Sequence, residues 1–267
     1  MIIAINAEIG SGKDTFYEFF CKNFPVKTEN KKFAGKLKEI IALLTGCDRQ
    51  NLEDEEFKNT FLPDEWIKDD GSKYTYREVL QIFGTDLMRD GFHKQVHINA
   101  LFADYKSINH WPQYGIESET GNRFAIGMNV EYPCWLITDL RFKNEFDAVK
   151  QRGGITIKVV RCMEPIEWIN SKYFNQIKFK NIGFHLIQSD EGRKISKREM
   201  VQMIATNQDL FLEDPKDKNF LKLIHASETD LNDYYDERKF DYVILNDSTL
   251  EVLEERIINL IAQISAR

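Results

Sequence analysis

A glycine-rich loop near the amino terminus has the residue types that bind phosphate. The apolar run Met1–Ile5 leads into Ala7-Glu8-Ile9-Gly10-Ser11-Gly12-Lys13-Asp14-Thr15. Small residues let backbone N–H groups converge on phosphate oxygens, a following helix points its positive dipole end at them, and Lys13 adds a mobile cation. Asp14 would lie in the first helical turn, where an acidic side chain suits the dipole. The sequence therefore predicts a strand, a phosphate-binding loop and a helix, with a nucleoside triphosphate as ligand.

This loop departs from the common pattern GxxxxGK[ST] at two points. Ala7 stands where the first glycine is usual, and the hydroxyl comes one residue late, at Thr15. The apolar strand before the loop and the aromatics at helical spacing in Phe16–Phe24 supply the context that the motif requires. The alternative interpretation is an ordinary glycine turn between a strand and a helix.

Cations follow a second predicted strand. A short strand over Lys32–Ala34 leads into Gly35-Lys36-Leu37-Lys38, at the start of a predicted helix Lys36–Leu44. Two lysines at a helix start oppose the dipole, and a charge placed against local preference indicates an anionic ligand. The alternative is a solvated pair of surface lysines.

A third predicted strand, Cys134–Thr138, leads into Asp139-Leu140-Arg141-Phe142-Lys143-Asn144-Glu145. In doubly wound sheets, ligands bind just outside the carboxyl ends of the strands. Arg141 offers a planar fork for phosphate, and Asp139 is placed to bind Mg²⁺ through water or to orient a phosphate or sugar. The alternative is an Asp139–Arg141 surface ion pair, with Asn144 resembling an N-cap and Glu145 as a first-turn acid.

Two further segments carry candidate site residues. The predicted helix Tyr76–Arg89 has Gly84 in its interior, which costs about 1 kcal/mol relative to alanine and so needs a packing or ligand-approach reason. Arg77 and Gly84 fall on one face of it; the alternative is a plain amphipathic helix with a kink. The strand Tyr242–Leu245 ends at Asn246, in a turn predicted to lie beside the first loop, where Asn246 meets the donor base or serves as a structural cap.

The order of apolar runs predicts one α/β domain over residues 1–267, with a mostly parallel sheet and crossover helices. The predicted buried strands are Met1–Ile5, Cys134–Thr138, Ile155–Val160 and Tyr242–Leu245, and further predicted helices are His93–Tyr105, Asn144–Arg152 and Leu250–Ile264. Two irregular stretches, about 107–132 and 165–222, are interpreted as insertions. The first has a loop or small hairpin around Glu119–Asn122, and the second has a helix over Ser196–Ala205.

Composition limits the function classes. The formal net charge of −7 over 267 residues argues against a protein that mainly grips nucleic acid. The four cysteines show no paired spacing, which is typical of reduced thiols in a cytoplasmic protein. No apolar stretch reaches membrane-spanning length, and the amino terminus has no basic signal-peptide flank, so we expect a soluble, unsecreted protein with no membrane partner. The scattered histidines give no nucleophilic triad, and phosphoryl transfer needs none.

Together, these motifs resemble the phage-type deoxynucleoside monophosphate (dNMP) kinases. The resemblance rests on four blocks in order, which are Gly10–Thr15, Phe33–Lys38, Leu80–Asp86 and Asp139–Glu145, with His225–Glu228 and Asn246–Glu251 as weaker closing blocks. It implies a P-loop kinase fold, a three-layer sandwich with a mostly parallel central sheet, helices on both faces and lid-like insertions. The segment 165–222 exceeds what compact family members need, and is interpreted as an enlarged lid or a partner surface.

The resemblance also implies roles for individual residues, with ATP and Mg²⁺ as cofactors and a dNMP as substrate. Lys13, Asp139 and Arg141 are the implied catalytic residues, and Thr15 the implied metal ligand. The implied ATP-binding residues are Gly10, Ser11, Gly12, Lys13, Asp14, Thr15 and Asn246. The implied dNMP-binding residues are Lys38, Arg77, Gly84, Thr85, Asp86, Asp139, Arg141 and Glu145. In place of a base-facing aromatic, the nearest match is His97 or Ile98.

Two other functions are compatible with the same residues. One is a P-loop kinase that acts on a modified base in DNA or on another small phosphate acceptor, although the acidic balance counts against a polymer. The other is a nucleotide-binding protein without turnover. The sequence leaves open which dNMP is preferred and whether the protein forms a homodimer, and it places the protein in the cytoplasm, of the host if it is viral.

Overall fold

A computed structural model describes residues 1–8, 10–116, 123–180, 192–223 and 239–266. The chain divides into two compact units. The first comprises Met1 and Glu29–Ile137, and the second comprises Ile2–Thr28 and the chain from Thr138 onward. The amino-terminal strand, loop and helix thus belong to the same unit as the carboxyl-terminal half.

The strands and helices are numbered in chain order. The strands are β1 (Ile2–Ala7), β2 (Thr28–Lys31), β3 (Asn109–Ile116), β4 (Arg123–Glu131), β5 (Cys134–Ile137), β6 (Ile155–Met163), β7 (Ile195–Ser196) and β8 (Tyr242–Asn246). The α-helices are α1 (Lys13–Asn23), α2 (Gly35–Thr45), α3 (Glu55–Lys58), α4 (Tyr76–Gln81), α5 (Val96–Phe102), α6 (Lys143–Gln151), α7 (Pro165–Asn170), α8 (Lys197–Thr206), α9 (Gln208–Phe211), α10 (Lys218–Leu223) and α11 (Leu250–Ser265). A 3₁₀ helix spans Arg49–Glu53, and a π-helical segment spans Ile82–Phe92.

The second unit is built on parallel strands. β6 pairs in parallel with β1 on one side and with β8 on the other, and the short β7 pairs with it antiparallel. Ile5 lies opposite Ile157, and both are fully buried, as continuous apolar strands in a covered sheet require. α6 packs on β1 and β6, while α11 packs on β8 and on α1. The predicted mixed α/β class, with a mostly parallel sheet flanked by helices, is confirmed.

The first unit has its own apolar core around α2 and α4. Its buried members are Leu37, Ile41, Leu52, Leu62, Tyr76 and Val79. β3 and β4 form an antiparallel pair in which Asn109 lies opposite Glu131, so the hairpin interpretation of this stretch is confirmed for its strands. The predicted tip, Glu119–Asn122, lies outside the described residues.

The insertion 165–222 is more regular than its sequence suggests. α7 to α10 surround a cluster of buried aromatic and aliphatic side chains, which includes Trp168, Phe174, Met200, Phe211 and Phe220. Because these residues are spread over short helices and loops, no single helical period reveals them. The predicted helix Ser196–Ala205 is confirmed as α8, and the N-cap hydroxyl of Ser196 accepts the backbone N–H of Glu199 at 3.2 Å.

Two predicted elements differ from the structure. The strand expected over Lys32–Ala34 is wrong, because β2 ends at Lys31 and Phe33 instead packs edge-on against Phe102 just before α2 begins. The helix expected over Tyr76–Arg89 is α-helical only to Gln81 and continues as the π-helical segment. π-Helical turns are rare and are often found near functional sites.

Over the described ranges, no helix combines the length and the hydrophobicity needed to cross a lipid bilayer.

Candidate phosphate-binding site

The loop between β1 and α1 adopts a conformation that requires its glycines. Gly10 and Gly12 have φ values of 87° and 85°, in the left-handed region that L-residues with a side chain rarely adopt. Between them, Ser11 is 2% exposed, and its backbone N–H donates to the Glu8 carbonyl at 3.0 Å. α1 begins directly afterwards, at Lys13. The predicted order of strand, glycine loop and helix start is therefore present.

Asn246, at the end of β8, holds one side of this loop. Its Nδ2 donates to the Ser11 carbonyl at 3.0 Å. A Cβ atom on Gly12 would lie 2.4 Å from the same Nδ2, so the asparagine and the glycine backbone are in close contact. The prediction that the turn after β8 lies beside the loop is confirmed, whereas contact of Asn246 with a donor base stays a prediction.

Arg161 and Tyr173 hold the other side of the loop, and the sequence analysis missed both. Nη1 of Arg161 donates to the Gly10 carbonyl at 3.3 Å, and Arg161 lies opposite Asn246 in the parallel register. A Cβ on Gly10 would lie 2.3 Å from the Tyr173 ring. Arg161 had a detectable signal, because it is the first charged residue after the predicted strand Ile155–Val160. Tyr173 lies in the insertion 165–222, and no sequence pattern marked it as a site residue.

Two buried lysines lie in this unit. Lys158 in β6 is 3% exposed, and burial lowers the pKa of its ammonium group to about 7, although Glu8 partly offsets this effect. Lys158 is therefore only partly protonated at neutral pH. Lys197, at the first position of α8, is also 3% exposed, and its Nζ lies 5.8 Å from the centroid of the Tyr173 ring.

The turn that carries Asp139 and Arg141 is tied to β1. Nδ2 of Asn6, itself buried, donates to the Leu140 carbonyl at 2.9 Å. This bond attaches the turn to the strand that leads into the glycine loop. Asp139 and Arg141 are both half-buried. A carboxylate and a guanidinium therefore sit on a turn whose position is fixed relative to β1.

The side chain of Glu145 also holds the turn that carries Asp139 and Arg141. Its carboxylate is buried and accepts the backbone N–H groups of Arg141 at 2.9 Å and Phe142 at 3.1 Å. α6 begins at Lys143, so the expectation that Asn144 resembles an N-cap is wrong, because it already lies inside the first turn. Glu145 thus has a structural role in this turn, and its implied contact with a dNMP stays a prediction.

The remaining implied substrate residues lie in the first unit, where charged partners hold two of them. Nζ of Lys38 donates to Oε2 of Glu53 at 2.8 Å. Arg77 is exposed; it pairs with Glu55 through Nη2 and donates through Nε to Oδ1 of Asn59 at 2.9 Å.

Gly84 has a packing reason for its lack of a side chain, since a Cβ there would lie 2.7 Å from Cδ2 of Leu37. Its carbonyl lies 2.9 Å from Nε2 of His97, whereas Ile98 is 2% exposed. Thr85 and Asp86 are exposed. Of the two base-facing candidates, the structure buries Ile98 and ties His97 to the π-helical segment.

Oxygen donors suited to Mg²⁺ are present in the first turn of α1 and on the turn after β5. Thr15 lies in the first turn of α1 and is half-buried, as is Asp139. In the part of the chain that the structure describes, no three histidine, cysteine or carboxylate side chains are grouped closely enough to hold a metal by themselves. Mg²⁺ commonly binds through one or two protein oxygens together with substrate phosphates, so these residues fit that ion.

The fold and the loop define a mixed α/β protein with a glycine loop between its first strand and its first helix. No family model matches the chain. The chain is 29% identical over 170 residues to a protein of Acanthamoeba polyphaga mimivirus named "Putative deoxynucleotide monophosphate kinase". The aligned region covers 60% of this chain and 74% of that protein. This similarity supports kinase chemistry in general.

Proposed function

We propose that the protein transfers the γ-phosphoryl group of ATP to a deoxynucleoside monophosphate and releases ADP and the deoxynucleoside diphosphate, for viral DNA synthesis. The observation that carries this proposal is the glycine loop, whose two sides are held by Arg161 and Asn246 and whose strand holds the Asp139–Arg141 turn. Phosphoryl transfer depends on positioning and on charge neutralisation, which these residue types supply.

On the donor side, the proposal assigns the ATP phosphates to the loop Gly10–Gly12 and to Lys13. Mg²⁺, for which Thr15 and Asp139 are the proposed oxygen ligands, supplies neutralisation of the phosphate charge when bound. Lys13, at the start of α1, approaches a phosphate as a mobile point charge.

On the acceptor side, an α-phosphate oxygen of the dNMP attacks the γ-phosphorus of ATP in line, while the bond from that phosphorus to the β,γ-bridging oxygen breaks. Arg141 is the proposed guanidinium that stabilises charge on the transferring group. Asp139 and Glu145 are proposed to contact the acceptor. The resemblance assigns further acceptor contacts to Lys38, Arg77, Gly84, Thr85 and Asp86.

The test is an activity assay in which the protein is incubated with ATP, Mg²⁺ and each common or modified dNMP. The product dNDP is then detected by chromatography. The Lys13→Ala variant is expected to lower turnover by about 100-fold or more, the cost of removing a group that stabilises transition-state charge. Lys22→Ala is the matched control, because Lys22 lies in the same helix but pairs with Glu254 at 2.8 Å in an exposed position. It is expected to retain the wild-type rate.

Two results would contradict the proposal. The first is that the folded wild-type protein makes no dNDP from any dNMP in the panel. The second is that Lys13→Ala keeps nearly the wild-type rate. ATP binding without transfer to any acceptor would instead support a nucleotide-binding protein without turnover.

A further inference from the structure

A cluster of three cations in the first unit converges on one carboxylate. Nζ of Lys32 lies 2.6 Å and Nζ of Lys38 lies 2.8 Å from Oε2 of Glu53, while Nη1 of Arg49 lies 2.7 Å from its Oε1. These four residues, Lys32, Lys38, Arg49 and Glu53, are called the basic cluster. Glu53 therefore receives more positive charge than one carboxylate neutralises.

The excess charge is costly because the cluster is partly withdrawn from water. Burial lowers the pKa of the Lys38 ammonium, and the nearby Lys32 and Lys58 lower it further, against the opposing effect of Glu53. Burial alone would raise the pKa of the Glu53 carboxyl. The hydrogen bonds from all three cations outweigh this effect and hold that pKa far below its usual range. Glu53 thus stays ionised, and its negative charge is what keeps the three cations together.

A second group of cations lies around Glu55. Burial alone would raise the pKa of the Glu55 carboxyl, but its hydrogen bonds to Lys58 and Arg77 lower this pKa to about 2. The same segment, 48–56, also carries Asp48, Asp54 and Glu56, so the positive surplus is confined to the three cations that converge on Glu53. Three cations around one carboxylate attract a further anion.

Rigid elements hold the basic cluster in place. Lys38 lies in α2 beside Leu37, and Glu53 follows Leu52 at the end of the 3₁₀ helix Arg49–Glu53; both leucines belong to the buried core of this unit. The Asp48 side chain caps that 3₁₀ helix by accepting the Gln50 backbone N–H at 2.8 Å. The cationic groups are therefore positioned by packed backbone rather than by long loops.

We propose that the basic cluster is a binding site for a phosphate monoester, in which the Glu53 carboxylate occupies the anion position until the phosphate group of the ligand displaces it. A phosphate monoester carries about −1.5 to −2 charges at neutral pH, so it balances three cations better than one carboxylate does. Arg49 supplies a planar fork for two phosphate oxygens, and Lys32 and Lys38 supply point charges.

This inference rests on the proposed function in identifying the monoester as the acceptor dNMP. It adds Lys32 and Arg49 to the residues that contact the acceptor phosphate. It also makes Glu53 an internal competitor for the three cations. A ligand that lacks a comparable negative charge does not displace Glu53 and therefore binds more weakly. A deoxynucleoside without phosphate therefore gains nothing from the cluster.

Calorimetric titration of the full chain with a dNMP, the corresponding deoxynucleoside and inorganic phosphate tests the site. Glu53→Gln removes the competitor and is expected to tighten dNMP binding by about tenfold, roughly one charge-assisted contact. Arg49→Gln and Lys32→Gln are expected to weaken it by about tenfold each, with deoxynucleoside binding unchanged. Lys73→Gln is the charge-matched control, since Lys73 pairs with exposed Asp64 at 2.5 Å in the same unit and should bind as wild type.

The outcomes separate this site from the proposed reaction. A folded Glu53→Gln variant that binds dNMP no more tightly than wild type overturns the internal-competitor assignment. If that variant fails to fold, wild-type dNMP affinity in Arg49→Gln or Lys32→Gln overturns the site, as does a wild-type protein that binds neither dNMP nor inorganic phosphate. If the substitutions change dNMP affinity as expected but the wild-type protein forms no dNDP, the phosphate site is supported and the proposed reaction is refuted. If all three variants turn over with the wild-type KM for dNMP, the proposed reaction is supported and the phosphate site is refuted.

Discussion

Replacing Gly12 by alanine is expected to destabilise the glycine loop through two separate effects. The residue has φ of 85°, where an L-residue with a Cβ is strained. The new methyl group would also lie 2.4 Å from Nδ2 of Asn246, well inside contact distance. Asn246 must then move, and its hydrogen bond to the Ser11 carbonyl, now 3.0 Å long, is lost.

The expected magnitude follows from these two effects. The left-handed conformation costs about 1–2 kcal/mol for a residue other than glycine. The lost hydrogen bond contributes about 0.5–1.5 kcal/mol. Gly12→Ala should therefore lower the free energy of unfolding by about 1.5–3.5 kcal/mol, which is a large part of the stability of a typical domain.

Urea unfolding followed by circular dichroism measures this change as a shift of the midpoint at constant slope. Gly153→Ala is the matched control, because Gly153 has φ of 68° but a Cβ there would have no neighbour within 4 Å. It should show only the conformational cost of about 1–2 kcal/mol. In an Asn246→Ala background, Gly12→Ala should also fall toward that cost, since the clash is gone.

The reasoning is refuted if Gly12→Ala and Gly153→Ala destabilise the protein equally. It is also refuted if the cost of Gly12→Ala is the same with and without the Asn246 side chain. Either result would mean that Asn246 does not restrain the loop at Gly12.

Two further predictions concern the second unit. Trp168→Ala should destabilise the insertion by about 3–5 kcal/mol, because Trp168 is fully buried and its Nε1 donates to the Ile195 carbonyl at 2.9 Å. Faster proteolysis within 165–222 would show this, and no change in cleavage would contradict it; the exposed Trp111 provides the control substitution. Burial alone would raise the pKa of Asp241, but its bonds to Lys150 and to Thr156 lower it below the ordinary value of 3.8. Its stabilising contribution is therefore present above that ordinary value and lost as the pH falls through the lower folded-state pKa. Acid titration of stability should show this loss in the wild type and not in Asp241→Asn, and identical curves would contradict it.

Local sequence patterns predicted most of the regular elements. The apolar run at the amino terminus became β1, because a strand buried on both faces needs continuous apolar residues. The run Ile155–Val160 became the first part of β6, although it includes Thr156 and Lys158. The helix predicted over Ser196–Ala205 became α8, and the structure shows that Ser196 caps its start. The strand expected at Lys32–Ala34 failed because Phe33 serves tertiary packing rather than a strand.

The π-helical segment and the core of the insertion were not predictable in the same way. Gly84 was recognised as unusual, but its reason, the close approach of Leu37 from α2, depends on how two helices pack. Trp168, Phe174 and Phe220 gather from separate short elements. Their spacing along the chain follows no single period, so no window of sequence reveals the cluster.

The sequence by itself determined the glycine loop, because a strand, two glycines and a lysine at a helix start are contiguous and their conformations depend on neighbouring residues. Tertiary structure decided which atoms contact the loop, although the sequence predicted that the turn at Asn246 lies beside it. Arg161 reaches Gly10 across 151 residues of chain, and Asn246 reaches Ser11 across 235. The first contact depends on the parallel pairing of β1 with β6, and the second depends also on the pairing of β6 with β8. Both pairings join strands that lie far apart in the chain, so no local pattern fixes these contacts.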